Sequence, residues 1–449
     1  MSRLFGTDGV RGLANKELTP KLAMQLGMAG ASVLAKEGNK KPVIMVGCDT
    51  RRSGDMLANA LMAGACSVGA NVIYLGVLPT PAVAYLTKKY GADAGVVISA
   101  SHNPMEFNGI KFFDRNGFKL PDDIEDEIEK LIENKMESVD FPEGEAIGSI
   151  EYRLDAYSEY VENAIKTVPV DLTGIKLVVD CAEGASFHTS IDALTRLGAK
   201  IIAIHCSPNG ININKACGST HMEELVETVK KEKADAGLAF DGDADRFLAV
   251  DEKGNIVDGD QIMSIVGKYM KEKGKLKDDT IVVTVMSNLG MFIMADNEGI
   301  KLEKTKVGDR YVLERMKEIG AVLGGEQSGH VIYLNENTTG DGLLSALHLL
   351  EVMKKTGKQL SELAKVMTVM PQALVNAQVS NDKKDSYVND DEISEKIKEL
   401  ETKFAGKVRV LIRPSGTEPL VRVMIEGERQ EEIDEDARQL AELIESKLN

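Results

Sequence analysis

Three times along this chain a short apolar run follows a helical stretch and ends abruptly in a loop of small and polar residues. Ala92-Asp-Ala-Gly95 leads through Val-Val-Ile98 to a turn at Ser101, and Ala234-Asp-Ala-Gly237 leads through Leu-Ala-Phe240 to a turn at Asp241. Ile319-Gly-Ala-Val-Leu323 leads into Gly324-Gly-Glu326-Gln-Ser328-Gly-His330. An earlier strand-like run opens each unit, at Val43, Leu177 and Ile281. Recurrence of one pattern implies recurrence of one supersecondary unit. Alternating β-rich and amphipathic runs imply α/β organisation, and open α/β sheets place ligands beyond the carboxyl ends of their strands. The expected fold is therefore three related α/β mixed-sheet domains, each offering one strand-end loop to a central cleft. From about Pro371 the pattern changes to a smaller C-terminal α+β domain. It has a polar loop over 381–392, a helix over 392–403, strands at 408–412 and 420–425, and an acidic helix from Glu431. The expected divisions are 1–150, 151–255, 256–370 and 371–449, with linkers near 142–151 and 253–255.

A length of 449 residues agrees with several domains. A net charge of −17 disfavours nucleic acid and anionic membranes as partners, so any small anionic substrate needs a local cluster of basic residues. The five cysteines are dispersed, without a C-x-x-C pair, which argues against disulfides and structural zinc and fits a reducing cytoplasm. The N-terminus carries no apolar h-region of a signal peptide. Residues 56–87 lack charge altogether and are long enough to span a bilayer, but Asn59, Ser67, Asn71, Pro79 and Pro81 interrupt them. They read as a buried helix over 57–68, a strand over 72–75 and a proline-rich loop.

The loops carry the chemistry. Asp241, Asp243 and Asp245 alternate with small residues and can converge on one hard cation. A calcium EF-hand nearly fits, with Glu252 at the twelfth position, but Arg246 replaces the glycine needed at the sixth and the flanks read as strands. An aspartyl-phosphate nucleophile at Asp241 and a solvated polar turn are the other readings. Arg246 beside the acids favours phosphate. The Ser101-His-Asn-Pro104 turn is ambiguous by itself: a serine needs a base or metal nearby, neighbouring side chains on a turn diverge, and Ser99 is as good a candidate as Ser101. Arg413-Pro-Ser415-Gly416-Thr417 combines a flexible backbone, two hydroxyls and a guanidinium, which makes a phosphate cradle. Glu326, Ser328 and His330 suit sugar hydroxyls and proton transfer, or an ordinary polar loop. Read singly, Arg11, Arg51, Arg52, Lys111, Lys306 and Arg310 are solvated charges.

Taken in order, Ser-His-Asn-Pro at 101–104, Asp-Gly-Asp-Ala-Asp-Arg at 241–246, Gly-Glu-Gln-Ser-Gly-His at 325–330 and Arg-Pro-Ser-Gly-Thr-Glu-Pro at 413–419 resemble the four loop motifs of the α-D-phosphohexomutase superfamily. The resemblance covers essentially the whole chain. The start Phe5-Gly-Thr-Asp-Gly-Val-Arg-Gly12, Ser-Ala before Ser101, Gln327 and Val307-Gly-Asp-Arg310 resemble its bacterial branch that acts on glucosamine phosphates. This implies an isomerase that interconverts glucosamine 6-phosphate and glucosamine 1-phosphate, through a phosphoserine at Ser101 and a 1,6-bisphosphate that is intermediate and activator. Such an enzyme would feed UDP-N-acetylglucosamine and cell-wall precursor synthesis. The alternative is a phosphomannomutase/phosphoglucomutase of the same superfamily. The resemblance also implies one Mg2+ per subunit, on Asp241, Asp243, Asp245 and a Ser101 phosphoryl oxygen. Lys111 and His330 become the proton-transfer pair, and Arg11, His102 and Arg246 further catalytic residues. Glu326 and Ser328 would hold sugar hydroxyls, with Lys306 and Gly308 also binding substrate. Arg413, Ser415, Gly416, Thr417 and Arg422 would grip the non-reacting phosphate from a last domain that closes over it. The expected partner is a phosphosugar, with no nucleic acid or membrane; relatives of this kind are often homodimers, and a cytoplasmic location is expected. The choice of Ser101 over Ser99, and the amino-sugar preference, come from the resemblance.

Overall fold

The structure, a computed structural model, describes residues 3–6, 8–35, 41–403, 408–415 and 419–448. It divides into two compact units, Met1–Met286 with Ile300–Val366, and Ser287–Gly299 with Met367–Asn449.

The first unit holds three sheets. Strands β1 (Val10–Leu13), β2 (Val43–Cys48), β3 (Asn71–Val77), β4 (Ala94–Ile98), β5 (Phe107–Asp114) and β6 (Ile150–Tyr152) form one sheet in the order β1-β5-β4-β2-β3-β6. Strands β7 (Lys176–Asp180), β8 (Lys200–Ile204), β9 (Ala236–Phe240), β10 (Phe247–Asp251) and β11 (Ile256–Val257) form a second, ordered β11-β10-β9-β7-β8. Strands β12 (Thr280–Thr284), β13 (Lys301–Thr305), β14 (Leu323–Gly325) and β15 (Val331–Tyr333) form a third, ordered β13-β12-β14-β15. One four-strand arrangement recurs in all three, its outer strand (β3, β8 or β13) parallel to the opening strand. A loop-bearing strand (β4, β9 or β14) lies parallel to an opening strand (β2, β7 or β12) and antiparallel to the strand that returns from the loop (β5, β10 or β15). The sheets are mixed, as expected.

Local chemistry explains the repeated tetrapeptide. The helices before β4 and β9 end in left-handed residues, Gly91 and Lys233. The Asp of each Ala-Asp-Ala-Gly then stitches the start of the opening strand: Asp93 accepts from the Val43 amide at 3.0 Å, and Asp235 from the Lys176 amide at 2.7 Å. A Cβ on Gly95 or Gly237 would meet Thr87 or Val229 of the covering helix at 2.3 and 2.7 Å, so glycine lets helix and strand touch. Strands β4 and β9 are buried throughout, as a strand covered on both faces should be.

Within residues 56–87 the expected strand forms as β3, and the expected helix runs over Arg52–Ser67. The proline-rich stretch is not a loop. Pro81 stands in the first turn of the helix Thr80–Tyr90, where a fixed φ and a missing N–H cost nothing. Among the described residues no helix is long and apolar enough to cross a membrane, and all five cysteines are free.

The second unit contains β16 (Gln372–Gln378), β17 (Arg409–Pro414) and β18 (Leu420–Glu426) in an antiparallel sheet ordered β16-β18-β17. Helix Gln430–Leu448 supplies Ile433, Ala437, Leu440 and Ile444 to its core. The helix Leu289–Glu298, although it lies between β12 and β13 in the chain, belongs to this unit. Asn288 exchanges hydrogen bonds with Met370 at 2.9 Å, and the Leu289 amide donates to buried Glu426 at 3.2 Å.

Candidate active site

The turns after β4 and β9 meet. Ser101 is held in the left-handed region (φ 52°), and its Oγ donates to Asp241 Oδ2 at 2.6 Å. Gly242 makes the approach possible, since a Cβ there would lie 2.5 Å from the Ser101 carbonyl. Asp241, Asp243 and Asp245 are buried, and one ligand oxygen from each lies within 4.8 Å of the others. Burial and the two neighbouring carboxylates push the Asp241 carboxyl well above its ordinary range. Oδ1 of Asp243 and Oδ1 of Asp245 are buried without a hydrogen-bond partner. Three buried acids, two of them with an unpartnered oxygen, are an unfavourable arrangement unless a cation neutralises them, so the set fits a hard divalent ion with oxygen ligands. Glu252, the residue an EF-hand would need, is turned elsewhere: its carboxylate accepts from the Ser361 amide at 3.1 Å. The flanks of the triad are strands β9 and β10, as expected.

Ser99 and Ser101 are separated by their surroundings. Ser99 is fully buried, and its hydroxyl donates to Asp49 at 2.6 Å while accepting the Ser101 amide at 3.0 Å. Only Ser101 faces the acids and lines the adjoining cavity of about 450 Å³. Arg3, Asp8, Arg11, Asp245, Arg246, Gly308, Asp309, Glu326 and His330 also line it. His102 Nδ1 lies 3.3 Å from Ser101 Oγ. Burial, then Arg246 and Arg11, push the His102 imidazole down to about 4, so it is neutral at physiological pH.

A charged network runs beneath the cavity. Lys111, a solvated charge when read singly and a proton-transfer residue by resemblance, is 1% exposed and pairs with Asp243 at 2.8 Å and Asp8 at 2.9 Å. Burial opposes its charge, but Asp243, Asp8 and Asp245 outweigh that and hold the ammonium well above its ordinary range. Lys119 joins Asp8 to Asp309, and His330 Nε2 lies 3.4 Å from Asp309. Burial would raise Asp8, yet Lys111, Lys119 and Arg11 keep it well below the usual carboxylate range. Arg246 donates its amide to Asp241 at 3.1 Å, and its buried Nε has no hydrogen-bond partner. Glu326 accepts the Gly308 amide at 3.0 Å, which joins the β14 loop to the segment after β13.

Lys306 and Ser328 are exposed and do not line the cavity. In the second unit Arg413 and Arg422 are direct cross-strand partners on β17 and β18, so two guanidiniums share one face of the hairpin. Ser415 closes that hairpin through its amide to the Leu420 carbonyl at 2.9 Å. Gly416 and Thr417 lie outside the described residues.

Sequence reasoning missed the residues that hold the loops: Arg51, Asp49, Asn214, Lys119, and Thr80, whose hydroxyl donates to Asp243 at 2.6 Å. Arg51 is 2% exposed, against its reading as a solvated charge. Asp8 and Asp309 stood inside motifs quoted from the sequence, which was the available signal; Asn214 had none. A second group, Asp180, His205 and Cys217, also brings metal-ligand atom types together. However, Asp180 already accepts the Ala182 and Gly218 amides at 2.8 and 2.9 Å, and both ring nitrogens of His205 face carboxylates. That group is a brace for the turn around Gly218.

Comparison with known proteins agrees with this geometry. Family models for phosphoglucomutase/phosphomannomutase match the chain in four consecutive pieces. They are alpha/beta/alpha domain I over 2–139, domain II over 155–254, domain III over 258–370 and the C-terminal domain over 374–443. Proteins named phosphoglucosamine mutase from Clostridium novyi and Ruminiclostridium cellulolyticum are each 61% identical over 449 residues, covering 100% of both chains. A crystal structure of a phosphoglucomutase/phosphomannomutase family protein from Burkholderia thailandensis superposes with a TM-score of 0.84 at 24% identity, covering 100% of this chain and 99% of that one.

Proposed function

The chain belongs to the phosphoglucomutase/phosphomannomutase family, and from that premise we propose that it interconverts glucosamine 6-phosphate and glucosamine 1-phosphate through a phosphoserine at Ser101. The family makes it an isomerase that moves a phosphoryl group within a phosphohexose. The amino-sugar preference is supported by the name of its full-length relatives. The observation that carries the phosphoserine reading is the 2.6 Å contact from Ser101 Oγ to Asp241, in an acidic triad with unused buried oxygens, at the wall of a cavity.

Asp241, Asp243, Asp245 and an oxygen of the phosphoserine are the residues to hold one divalent cation of the magnesium class; bound there, it supplies neutralisation of charge on the phosphoryl oxygens. The remaining work is positioning and electrostatics, which dominate phosphoryl transfer. Ser101 gives its phosphoryl group to the free hydroxyl of the bound hexose monophosphate. The P–Oγ bond breaks as a P–O bond to the sugar forms, and the sugar hydroxyl gives up its proton as Ser101 Oγ regains one. Lys111 and His330 form the pair proposed for these protons. Arg246 and Arg11 face the transferring group from the cavity wall. The resulting 1,6-bisphosphate, turned end for end, returns its other phosphoryl group to Ser101. Glu326 is proposed to hold sugar hydroxyls beside Gly308. Lys306 and Ser328 remain proposed substrate residues, and the Arg413–Arg422 pair with Ser415, Gly416 and Thr417 is proposed to bind the non-reacting phosphate. Assembly as a homodimer remains a proposal.

Intact-protein mass spectrometry with peptide mapping tests the reading. Ser101 in the working enzyme is expected to carry one phosphate, and Ser101→Ala to abolish turnover. Turnover of glucosamine 6-phosphate is expected to exceed that of glucose and mannose 6-phosphates. A hydroxylamine-labile phosphate on Asp241, with none on Ser101, would replace this mechanism by an aspartyl-phosphate one.

A further inference from the structure

We propose that Arg51, assisted by Asn214, is a positioning residue for phosphoryl transfer: it holds the backbone after Ser101 so that Oγ faces the carboxylate triad. The inference rests on the phosphoserine reading and names what aims that serine.

The Arg51 side chain is 0% exposed, and each of its five N–H donors has a partner. Nε donates to Asp49 Oδ2 at 2.8 Å. Nη1 donates to the carbonyls of Pro104 at 2.5 Å and Phe107 at 3.1 Å, and Nη2 to those of Ser101 at 2.9 Å and Asn103 at 2.8 Å. Four carbonyls between Ser101 and the start of β5 therefore converge on one guanidinium. An ammonium has three donors on a single centre and cannot span them. Asp49 closes the device: its Oδ2 also accepts the Ser99 hydroxyl, which in turn accepts the Ser101 amide at 3.0 Å. The serine is thus gripped at its amide and at its carbonyl, in a left-handed conformation that a serine keeps only where its surroundings impose it.

The second grip comes from the neighbouring domain. Asn214 Nδ2 donates to the same two carbonyls, Ser101 at 2.8 Å and Asn103 at 3.0 Å. The Asn214 amide is fixed to the Ala182 carbonyl at 2.9 Å, and Ala182 to Asp180 at 2.8 Å. The turn that carries the serine is therefore referenced to the same sheet whose strand β9 leads into Asp241. Neither Arg51 nor Asn214 lines the cavity, which sets both apart from the groups that face it. What they control is the direction of Oγ, to which an in-line displacement is sensitive.

The experiment compares whole wild-type protein with Asn214→Gly and Arg51→Lys. Glycine tolerates the φ of 56° at position 214, so that variant deletes the amide and keeps the backbone. Phosphate on Ser101 is first measured in each protein, then kcat, KM, melting temperature and the single-turnover rate from phosphoenzyme to phosphosugar. Asn214→Gly is expected to lower kcat and the single-turnover rate together, about 10- to 100-fold. Its KM should stay within about twofold and its melting temperature should not change. Arg51→Lys is expected to lose more in the same two rates. Unchanged rates in Asn214→Gly and Arg51→Lys, with phosphate present on Ser101, overturn the positioning role and leave the phosphoserine reading standing. So does a joint shift of kcat, KM and melting temperature in Asn214→Gly, which is a purely structural signature. Absence of phosphate from wild-type Ser101 instead overturns the phosphoserine reading, and this inference with it.

Discussion

At the scale of single residues the protein separates groups that the sequence presents as equals. Ser99 and Ser101 lie two positions apart, yet one is spent inside the turn and the other faces the triad. The difference is φ at Ser101 and the convergence of the carbonyls after it on Arg51. Arginines 413 and 422 illustrate the converse. Opposed like charges on a hairpin are unfavourable by themselves, and the phosphate proposed to bind there would turn the pair into an asset. Arg413→Ala should remove one charge-assisted contact worth roughly 1.5–3 kcal/mol. The expected outcome is a ten- to hundredfold rise in KM for the phosphosugar, read from steady-state kinetics. An unchanged KM would remove Arg413 from the phosphate site.

Elements were legible where hydrophobic period and end signals agreed. Strands β4 and β9, the helix Glu223–Glu232 and the closing helix Gln430–Leu448 follow their apolar patterns to within a residue or two. The helix Thr80–Tyr90 was missed because prolines read as breakers in sequence, whereas at a first helical turn they are starters. Element ends also set stability. At the end of β7, Asp180 accepts two backbone amides and pairs with His205 at 3.0 Å, and Glu224 faces the other ring nitrogen. The Asp180 hydrogen bond leads these partners in raising the His205 imidazole above its ordinary 6.5, against the pull of burial. A raised folded-state value means that this stabilisation is complete below pH 6.5 and is lost as pH rises through the folded value. Urea unfolding from pH 6 to 8.5 should therefore show wild-type stability falling faster than that of His205→Gln, and the difference between the two should shrink toward high pH. Parallel curves would contradict the brace.

At the scale of the whole molecule, the compact units do not follow the order of the chain. Helix Leu289–Glu298 sits with the C-terminal sheet, where Arg409 donates to the Ser287 carbonyl at 2.7 Å and stacks over Phe292. Truncation after Val366 would strip this helix of Met370, Arg409 and Glu426 and strand its buried Leu289, Met291 and Met294. The truncated chain should bind a hydrophobic dye such as ANS more strongly than the full chain and be less soluble. Equal dye binding would mean that the helix has another home. The net charge of −17 is likewise no guide to the site, because Arg3, Arg11 and Arg246 all line the cavity, beside its acids.

By itself the sequence determined the repeated α/β plan, the order of the loops and the residue types in them. Those features are local: period, turn chemistry and spacing are written within about ten residues. Which serine faces the acids, which lysine is buried among them and which arginine grips the turn were decided only by tertiary structure. Lys111 meets Asp243 across 132 positions, and Asn214 meets Ser101 across 113. The balance between burial and opposing charge that sets the electrostatics of the site exists only once those distant segments are packed together.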